Sequence, residues 1–426
     1  MIGGGIIGAF CAWHLSAAGR RVTIVDRDRF GAACSHGNCG YVCPSHVFPL
    51  AQPGAVSSTM KAMVSKNSPF AVKLRPDLDA AKWFLNFARS CTRRKMMGAA
   101  VGRHALLQSS MQQYQSLVKE SRLECEWQER GLLFVFDTEE EFNAYRQTDE
   151  RLRKSFDVSA TPYSGDDVLE LEPALKPGVG GGWHYERDCH LRPDRLMTDL
   201  RERLESRGVE IVEFMDVKEF RCDSMTGGNG QHGGRGIARA VSNGAGGIKT
   251  IEADQFVVAT GAMTPFLNDH LGCRIPIQPG KGYSLTMPTP ERMPKIPIIF
   301  DSSHVAVTPM QSGYRIGSTM EFVGYDTSIN PQRLKLLRDA AVNYLVDPYC
   351  DPVEEEWFGW RPMVWDGKPI IDRSPAMKNV WIAAGHSMLG LSMAPATGQL
   401  LRELMLHEQP HIDPAHFSVS RFGRVL

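Results

Sequence analysis

Residues 1–10 read MIGGGIIGAF and place Gly3, Gly5 and Gly8 in the spacing GxGxxG. This spacing is typical of the turn between a first β-strand and a first helix that holds a pyrophosphate. The first glycine permits the tight turn, the second lets the backbone approach the phosphates, and the third lets helix and sheet pack closely. The motif alone is weak evidence, so the prediction depends on its surroundings.

The residues after the motif complete a nucleotide-binding unit. Apolar residues recur at helical spacing after Gly5, and Gly19 stands at a helix end, which together predict a helix over about residues 6–18. The β-branched run at residues 22–25 predicts a strand that ends at Asp26, whose carboxylate suits an adenosine ribose. The sequence therefore predicts a dinucleotide site at the start of the chain.

A second copy of the spacing occurs at Gly228, Gly230 and Gly233, in GGNGQHGG. No β-branched strand precedes this copy and no apolar helix follows it, so we interpret it as a flexible loop.

Only Met1 and Ile2 precede the first glycine, although such a motif normally follows a complete central strand. One hypothesis is that the start has been placed too late, or the chain trimmed, by about four to six residues, which is a typical strand length less the two present.

Length and charge bound the function. The 426 residues suggest two domains, and the 48 basic and 48 acidic side chains give no net charge that would favour nucleic acid or an anionic surface. No apolar run of about 18 residues occurs, which excludes a transmembrane helix but leaves peripheral membrane contact open. We expect small-molecule partners, no nucleic acid and a cytoplasmic protein, with contact at the inner face of the cell membrane left open.

The ten cysteines contain no CxxC pair, so we expect reduced thiols rather than a disulfide framework. Cys34, Cys39 and Cys43 lie close in sequence to His36 and His46, but their spacing matches no zinc ribbon. We therefore expect no metal, and we interpret these cysteines as small residues that pack beside a cofactor.

The segment after Asp26 distinguishes two cofactors. A nicotinamide-binding chain would continue into another helix. Here the chain continues as RDRFGAACSHGNCGYVCPSH, which contains small residues and has no helical period. Such a segment can run close along an extended flavin cofactor. Together, GGGIIG, Asp26 and SHGNCGYVCPSH resemble the flavin-dependent amino-acid oxidase family, which includes D-amino-acid dehydrogenase, glycine oxidase and sarcosine oxidase. The resemblance is weakest between about residues 60 and 182, and it implies FAD as the cofactor.

The resemblance also implies the architecture. We expect an α/β plus α+β fold, in which a Rossmann-like FAD-binding domain carries a discontinuous, mostly antiparallel substrate-binding domain. The short strand candidates between residues 276 and 320, separated by turn residues, agree with such a sheet. The expected domain boundaries are 1–75, 185–275 and 350–426 for the FAD-binding domain, and 76–184 and 276–349 for the substrate-binding domain.

The C-terminal segment carries the predicted chemistry. Residues 380–384 form a strand candidate, 385–390 a small-residue turn, and APATGQLLRELM a helix candidate. In the family this turn lies against the isoalloxazine, where N–H groups at a helix start stabilise developing negative charge. His386 is assigned to packing and hydrogen bonding, because hydride transfer from a neutral amine needs no protein base.

Arg361, in WRPM, is the candidate for the substrate. A guanidinium can hold an α-carboxylate through two parallel hydrogen bonds, and in related oxidases the arginine of an RP pair does so. Tyr283, in GKGY, is a second candidate, because GHSMLG lacks the further arginine that glycine oxidases carry after GH. No cysteine follows Cys350, so the family's cysteine link to flavin is absent and FAD is expected to be non-covalent.

GHSMLG and APATG are most similar to the D-amino-acid dehydrogenase branch, which includes enzymes of cyclic imino acids such as hydroxyproline. The resemblance therefore implies FAD-dependent oxidation of the Cα–N bond of a D-amino or cyclic imino acid, with flavin N5 as hydride acceptor and electrons passed to a quinone or carrier. The alternatives are an oxidase that releases hydrogen peroxide, a flavin-binding subunit without turnover, and an NAD-dependent dehydrogenase. The oligomeric state is left open.

The motif, the strand ends and the resemblance together assign one set of residues to the cofactor: Gly3, Gly5, Ile6, Ile7, Gly8, Asp26, Arg27, Ser35, Asn38, Gly40, Val217, Thr260, Gly261, Gly385, His386, Met388, Leu389 and Gly390. For Thr260 and Gly261, a tight turn at a strand end is an equally good interpretation.

Overall fold

The computed structural model describes residues 1–57, 70–73, 76–222, 238–244 and 247–423. Within these ranges the α-helices are α1 Ile6–Ala17, α2 Leu78–Ser90, α3 Arg93–Ser121, α4 Glu139–Phe156, α5 Val168–Leu171, α6 Pro193–Ser206, α7 Asn268–Leu271, α8 Pro331–Tyr344 and α9 Gly390–Met405. Short 3-10 helices span Gly165–Asp167, Gly261–Leu267, Pro414–Phe417 and Val419–Phe422.

The strands of the same ranges are β1 Thr23–Val25, β2 Tyr41–Val42, β3 Phe70–Val72, β4 Leu132–Phe136, β5 Thr161–Ser164, β6 Gly181–Tyr185, β7 Cys189–His190, β8 Glu210–Val212, β9 Val217–Cys222, β10 Ala238–Gly244, β11 Gly247–Ile251, β12 Phe256–Val258, β13 Ile277–Met287, β14 Ile298–Phe300, β15 Val305–Met310, β16 Gly313–Phe322, β17 Glu355–Val364, β18 Ile370–Arg373 and β19 Val380–Ala384.

A parallel sheet forms the centre of the nucleotide-binding part. β1 pairs with β8 and β12 pairs with β19, both in parallel, and β18 adds an antiparallel edge. Ile2 joins the two pairs, because it forms parallel bridges to Val25 on one side and Val258 on the other. The position of the central strand is thus taken by the residues immediately before the glycine motif.

Helix α1 covers this sheet and is buried on most sides, with Ala9, Phe10 and Ala12 fully excluded from solvent. It packs against α9 so closely that a Cβ at Gly398 would lie 2.4 Å from the Phe10 carbonyl oxygen. The predicted helix and the strand that follows it are confirmed, with bounds shifted by one residue. The Rossmann-like half is therefore present as expected.

The second half is a nine-stranded sheet in the order β17-β13-β16-β15-β14-β4-β6-β5, with β3 paired to β16. Its pairs are antiparallel except β14 with β4 and β16 with β3. The expectation of a mostly antiparallel sheet is confirmed. Helix α8 packs on one face through Leu334, Leu337 and Ala341, which leaves the other face for the nucleotide-binding half.

That other face presents one row of residues across six strands, and three neighbouring members of this row are small. The pairing register aligns Trp357, Ser284, Gly317, Ala306, Ile299 and Phe134. Paired residues share a sheet face, so all six point to the same side. Because Ser284, Gly317 and Ala306 have short side chains, the middle of the sheet offers a flat floor.

Strand pairing suggests a different division of the chain from the one expected. β17 pairs with β13 along its whole length, although the sequence assigned residues 350–426 to the cofactor domain. Helix α3, assigned to the substrate domain, buries Tyr114 in the same hydrophobic cluster as Phe10 of α1. We therefore propose that the last boundary lies after Val364 and that α3 belongs with the nucleotide-binding half, since neither pairing is visible in local sequence.

β9, β10 and β11 form a separate antiparallel sheet, as predicted for a small excursion between α6 and β12. The predicted glycine-rich loop, including Gly228, Gly230 and Gly233, lies outside the described residues. No described helix combines the length and apolar character needed to cross a bilayer.

Candidate functional site

A cavity of about 870 Å³ lies between the parallel sheet and the flat face of the nine-stranded sheet. Its lining comes from many parts of the chain: the glycine turn, the loop after β1, β9, the end of β12, several strands of the nine-stranded sheet including β17, and the turn after β19. Every predicted cofactor residue lines it except Gly8, and so do Arg361 and Tyr283. The structure thus brings residues that are hundreds of positions apart into one site.

The glycine turn, on the parallel-sheet side of the cavity, requires two of its glycines for steric reasons. Gly3 has φ +104°, and a Cβ there would lie 2.4 Å from the Ala259 carbonyl oxygen. A Cβ at Gly8 would lie 1.9 Å from the Gly3 carbonyl oxygen, so Gly8 acts through helix packing rather than by facing the cavity. Side chains at either position would push α1 away from the sheet.

Asp26 lies at the end of β1, beside this turn. Its Oδ2 accepts a hydrogen bond of 2.6 Å from the Gly4 N–H, and its Oδ1 accepts one of 2.8 Å from the Asp28 N–H. Burial raises the pKa of Asp26, and these two backbone donors act in the opposite direction. The carboxylate is therefore fixed at the cavity wall, where its remaining lone pairs can accept hydrogen bonds from hydroxyl groups.

The loop after Asp26 is held by its own side chains. The Ile6 N–H donates to Ser35 Oγ over 2.9 Å, which ties the loop to the start of α1. Asn38 accepts from the Gly40 N–H over 2.9 Å and donates to two carbonyl groups of the same loop. Gly40 has φ +74°, and a Cβ there would lie 1.9 Å from the Leu191 carbonyl oxygen.

The turn between β19 and α9 forms a further part of the cavity wall. Gly385 has φ +76°, and the Ser387 N–H donates to the Pro362 carbonyl, which fixes the turn to β17. His386 is buried and lies 3.0 Å from Thr397 Oγ1, and burial lowers its pKa to about 3. His386 is therefore neutral near pH 7. Helix α9 begins at Gly390 without a side-chain cap, so its first N–H groups remain available at the cavity.

Arg361 reaches into the cavity from β17. Its Nη1 donates to the Thr319 carbonyl over 2.8 Å, and no carboxylate of the described residues lies within 4.0 Å of its nitrogens. Burial lowers its pKa, while the neighbouring thiols of Cys34 and Cys39 act in the opposite direction. Arg361 is thus a cation without a protein anion, with most of its donors unassigned.

The backbone beside Arg361 is strained. Ser318 and Thr319 have φ +109° and +46°, in the left-handed region that a β-branched threonine rarely adopts. A register irregularity between Lys281 and Tyr283 in the adjacent pairing accompanies this bend. The bend turns the Thr319 carbonyl towards the guanidinium. Bulges of this kind often reorient backbone or side-chain groups at functional sites.

Tyr283 is placed differently from its predicted role. Its hydroxyl donates to Glu321 Oε2 over 2.7 Å, and burial raises its pKa. The register pairs Gly280 with Arg361, so Tyr283, an odd number of residues along β13, points to the opposite sheet face. The structure therefore does not bring the Tyr283 hydroxyl to the guanidinium.

Several cavity residues were not found from the sequence. Trp360 lines the cavity and its indole N–H is buried without a hydrogen-bond partner in the described part of the chain. Cys43, His46 and Ala306 line the end of the cavity that is remote from β17. The alternation of β15 and β17 gives a weak signal for Ala306 and Trp360. Cys43 was predicted to pack beside the cofactor and His46 lies close to it in sequence, but neither was assigned to the site.

Comparison with known proteins identifies what this arrangement resembles. The family model described as DAO, FAD dependent oxidoreductase, matches residues 1–404. A D-amino acid dehydrogenase of Chromohalobacter salexigens is 30% identical over 436 aligned residues, which cover 99% of each chain. Among solved structures, glycine oxidase from Geobacillus kaustophilus matches with a TM-score of 0.74 at 20% identity, covering 99% of this chain and 97% of that one. L-proline dehydrogenase from P. horikoshii matches with a TM-score of 0.71 at 19% identity, covering 99% and 96%.

Proposed function

The chain belongs to the DAO family of FAD-dependent oxidoreductases, and on that premise we propose that it oxidises the Cα–N bond of a D-amino acid or a cyclic imino acid. The observation that carries this proposal is Arg361, a cavity-facing guanidinium with no protein carboxylate beside it in the described structure. A substrate α-carboxylate would supply the missing anion.

The residues present fit FAD. Gly3 and Gly5 leave the backbone open at the start of α1 for a pyrophosphate, and Asp26 is fixed where the adenosine ribose would lie. The small-residue row on the nine-stranded sheet leaves room for a planar ring, and the uncapped start of α9 offers N–H groups to it. When bound, FAD supplies the two-electron acceptor that takes the hydride from Cα.

Arg361 would position the substrate. Two parallel hydrogen bonds from its guanidinium fix the carboxylate in both place and plane, which determines the face of Cα that is presented. The Thr319 carbonyl holds Nη1, so the side chain needs little further ordering when the substrate binds. Binding would therefore select one enantiomer by geometry.

No protein base is assigned to the amine. His386 is neutral, and its Nε2 is engaged with Thr397, so it is poorly placed to take a proton. The substrate would bind as the neutral amine, or lose its proton to solvent, before Cα is oxidised. The product imine is then hydrolysed by water to a 2-oxo acid, or opens if cyclic.

We propose a quinone or another carrier as electron acceptor, reached by peripheral contact with an anionic membrane. Helix α2 supports this, because Leu78 and Leu85 are 78% and 51% exposed on one stripe. Lys82 and Arg89 flank the leucines, and the exposed residues 93–95 read RRK at the start of α3. An apolar stripe with a basic border is the pattern of interfacial helices.

An assay of the bound flavin tests the activity. Purified protein loaded with FAD is mixed anaerobically with D-, L- and cyclic amino acids, and loss of the flavin absorbance is followed. We expect bleaching by at least one D-amino or cyclic imino acid and none by amines that lack a carboxylate. Bleaching by simple amines as readily as by amino acids would contradict the assigned substrate class.

Two further measurements test the acceptor. Peroxide formation in air is compared with quinone reduction; fast, stoichiometric peroxide would favour the alternative oxidase. Sedimentation with phosphatidylglycerol and phosphatidylcholine vesicles tests the membrane contact. We expect binding to the anionic vesicles alone, and its loss on combined Leu78→Ser and Leu85→Ser substitution. Val342→Ser, which changes an exposed residue of α8, is the matched control.

A further inference from the structure

The cavity has a second end, away from β17, that takes no part in binding the substrate carboxylate at Arg361. Its lining comprises Tyr41, Cys43, His46, Ile299, Ala306 and Leu391. Tyr41 directs its hydroxyl away, onto the carbonyl groups of Ile298 and Val307, and Cys43 is almost fully buried. Among the residues that line this end, His46 is therefore the one with a strongly polar side-chain atom that is not already hydrogen-bonded.

A chain of hydrogen bonds fixes the His46 ring. Ser45 Oγ donates to Asp188 Oδ2 over 2.5 Å, and the Ser45 N–H donates to Asp188 Oδ1 over 3.1 Å. When Asp188 is ionised, above its raised pKa of about 7, the hydroxyl gives its one proton to the carboxylate, so its oxygen accepts from the His46 Nδ1–H, 3.2 Å away. This donor order assigns the tautomer in which Nε2 carries a lone pair.

Nothing in the described part of the chain uses that lone pair. His46 Nε2 has no hydrogen-bond partner there, and the atom is not fully buried. Because His46 lines the cavity, Nε2 is accessible from it. The ring lies against Phe134 of β4, with centroids 5.7 Å apart, which limits its rotation. The atom is thus an oriented acceptor in a mainly apolar wall.

The charges around His46 favour an uncharged ligand group. Burial lowers the pKa of His46 to about 4, and Arg103 acts in the same direction. Arg103, from α3, donates to the His46 carbonyl over 2.8 Å. Asp188 from the β6–β7 turn and the thiol of Cys43 each place an atom within 4.8 Å of a His46 ring nitrogen, and burial raises the pKa of both. The ring is neutral, and the nearby guanidinium disfavours a second cation.

We propose that His46 Nε2 accepts a hydrogen bond from an uncharged donor, a hydroxyl or an amide, on the side chain of the substrate whose carboxylate binds Arg361. This subsite rests on the proposed function and narrows it to polar, uncharged amino or imino acids. Arg361 is held at Thr319 on β16, and β4 is three strands further on, roughly 14 Å. A hydrogen bond of about 3 Å at each end leaves roughly 8 Å for the substrate.

The same cluster has a second interpretation. Cys43, His46 and Asp188 place one ligand atom each within 4.8 Å of one another, as metal ligands would be. We favour the hydrogen-bonded form, because both Asp188 oxygens already accept from Ser45 and the thiol lies beside the same carboxylate. Stoichiometric zinc or another transition metal in the purified protein would overturn the hydrogen-bond account.

The test compares substrates that differ by one donor group. kcat/KM is measured for D-glutamine against D-norvaline, the pair whose length suits the roughly 8 Å, and for D-serine against D-alanine, where the hydroxyl is too short to reach His46. We expect the wild-type protein to favour D-glutamine over D-norvaline by 10-fold or more, because a buried acceptor is left unpaired by D-norvaline, and to show no such preference between D-serine and D-alanine. Equal rates for D-glutamine and D-norvaline would overturn the subsite.

Variants separate the hydrogen bond from packing. His46→Leu should lower kcat/KM for the donor-bearing member at least 10-fold more than for the apolar member, and His46→Gln, which retains an acceptor, should recover part of the preference. His104→Leu changes a histidine of α3 that does not line the cavity, and should leave the preference unchanged. Equal loss for both members of a pair would contradict the assignment. Failure of every amino acid to bleach FAD would instead contradict the proposed function.

Discussion

The guanidinium of Arg361 lies directly over Gly282 of the neighbouring strand. A Cβ built on Gly282 would lie 2.1 Å from Nη1 and 2.3 Å from Cζ of Arg361. The two residues are two pairs apart in register, because Gly282 faces Gly359 and Arg361 faces Gly280. The absence of a side chain at Gly282 is therefore what lets Arg361 cross β13 and reach the Thr319 carbonyl.

Gly282→Ala should displace Arg361 without affecting the cofactor. We expect KM for the amino acid to rise at least 10-fold, because the guanidinium must move by more than 1 Å and loses its paired geometry. FAD absorbance per protein should stay unchanged. Gly98→Ala is the control, since a Cβ there meets nothing within 4 Å. An unaltered KM in Gly282→Ala would show that the observed placement of Arg361 is not needed for binding.

Asp26→Ala should weaken FAD binding. The carboxylate holds the Gly4 and Asp28 N–H groups and has lone pairs left for ribose hydroxyls, so its loss removes charge-assisted hydrogen bonds of about 1.5–3 kcal/mol each. We expect the dissociation constant for FAD, measured by fluorescence on release, to rise at least 10-fold. Asp254→Ala, a change at an exposed residue before β12, controls for loss of a surface carboxylate. An identical FAD affinity would remove Asp26 from the site.

His386 should make the protein less stable in acid. Its folded pKa of about 3 lies below the ordinary value of 6.5. Between these two pH values the unfolded chain binds a proton at this histidine and the folded chain does not. This contribution is fully present above pH 6.5 and is lost as pH falls towards 3. Urea unfolding between pH 7 and 4 should show a smaller loss of unfolding free energy for His386→Gln than for wild type. Parallel curves would contradict this assignment.

Asp188 should make the protein less stable as the pH rises, the opposite of the effect of His386. Burial raises its pKa to about 7, so the folded protein holds a proton that the unfolded chain releases near 3.8. Its contribution is present below pH 4 and is lost as pH rises to 7. Relative to Asp188→Asn, the wild type should therefore lose unfolding free energy between pH 4 and 7. The difference between the two proteins, followed by urea unfolding, should be flat above pH 8; a difference that is flat throughout would place the pKa near its ordinary value.

Local signals account for the parts of the fold that the sequence predicts. The glycine motif, α1, β1 and Asp26 follow one another within the first 26 residues, and the turn after β19 is equally continuous. In these segments, helix period, glycine position and strand end all depend on neighbours in sequence. The dinucleotide site and the C-terminal turn are therefore readable before the fold is known.

The remaining features depend on distant pairings. The face that Tyr283 presents follows from the register of β13 with β17, which no local pattern determines. His46 gains its orientation from Asp188, more than a hundred residues away, through Ser45. Packing of α3 against the nucleotide-binding half likewise depends on residues such as Tyr114, whose hydroxyl donates to the Leu391 carbonyl. Hydrophobic period predicts such a helix but not its neighbour.

Rapid anaerobic mixing of the FAD-loaded protein with its substrate, comparing wild type, Arg361→Lys and Arg361→Ala, tests whether Arg361 binds the substrate carboxylate. The substrate concentration needed for half-maximal flavin bleaching should rise at least 100-fold in Arg361→Ala and less in Arg361→Lys, which keeps the charge but not the paired donors. FAD content and the oxidised flavin spectrum should be the same in all three. Bleaching by Arg361→Ala at the wild-type concentration would contradict the claim that this guanidinium binds the substrate carboxylate.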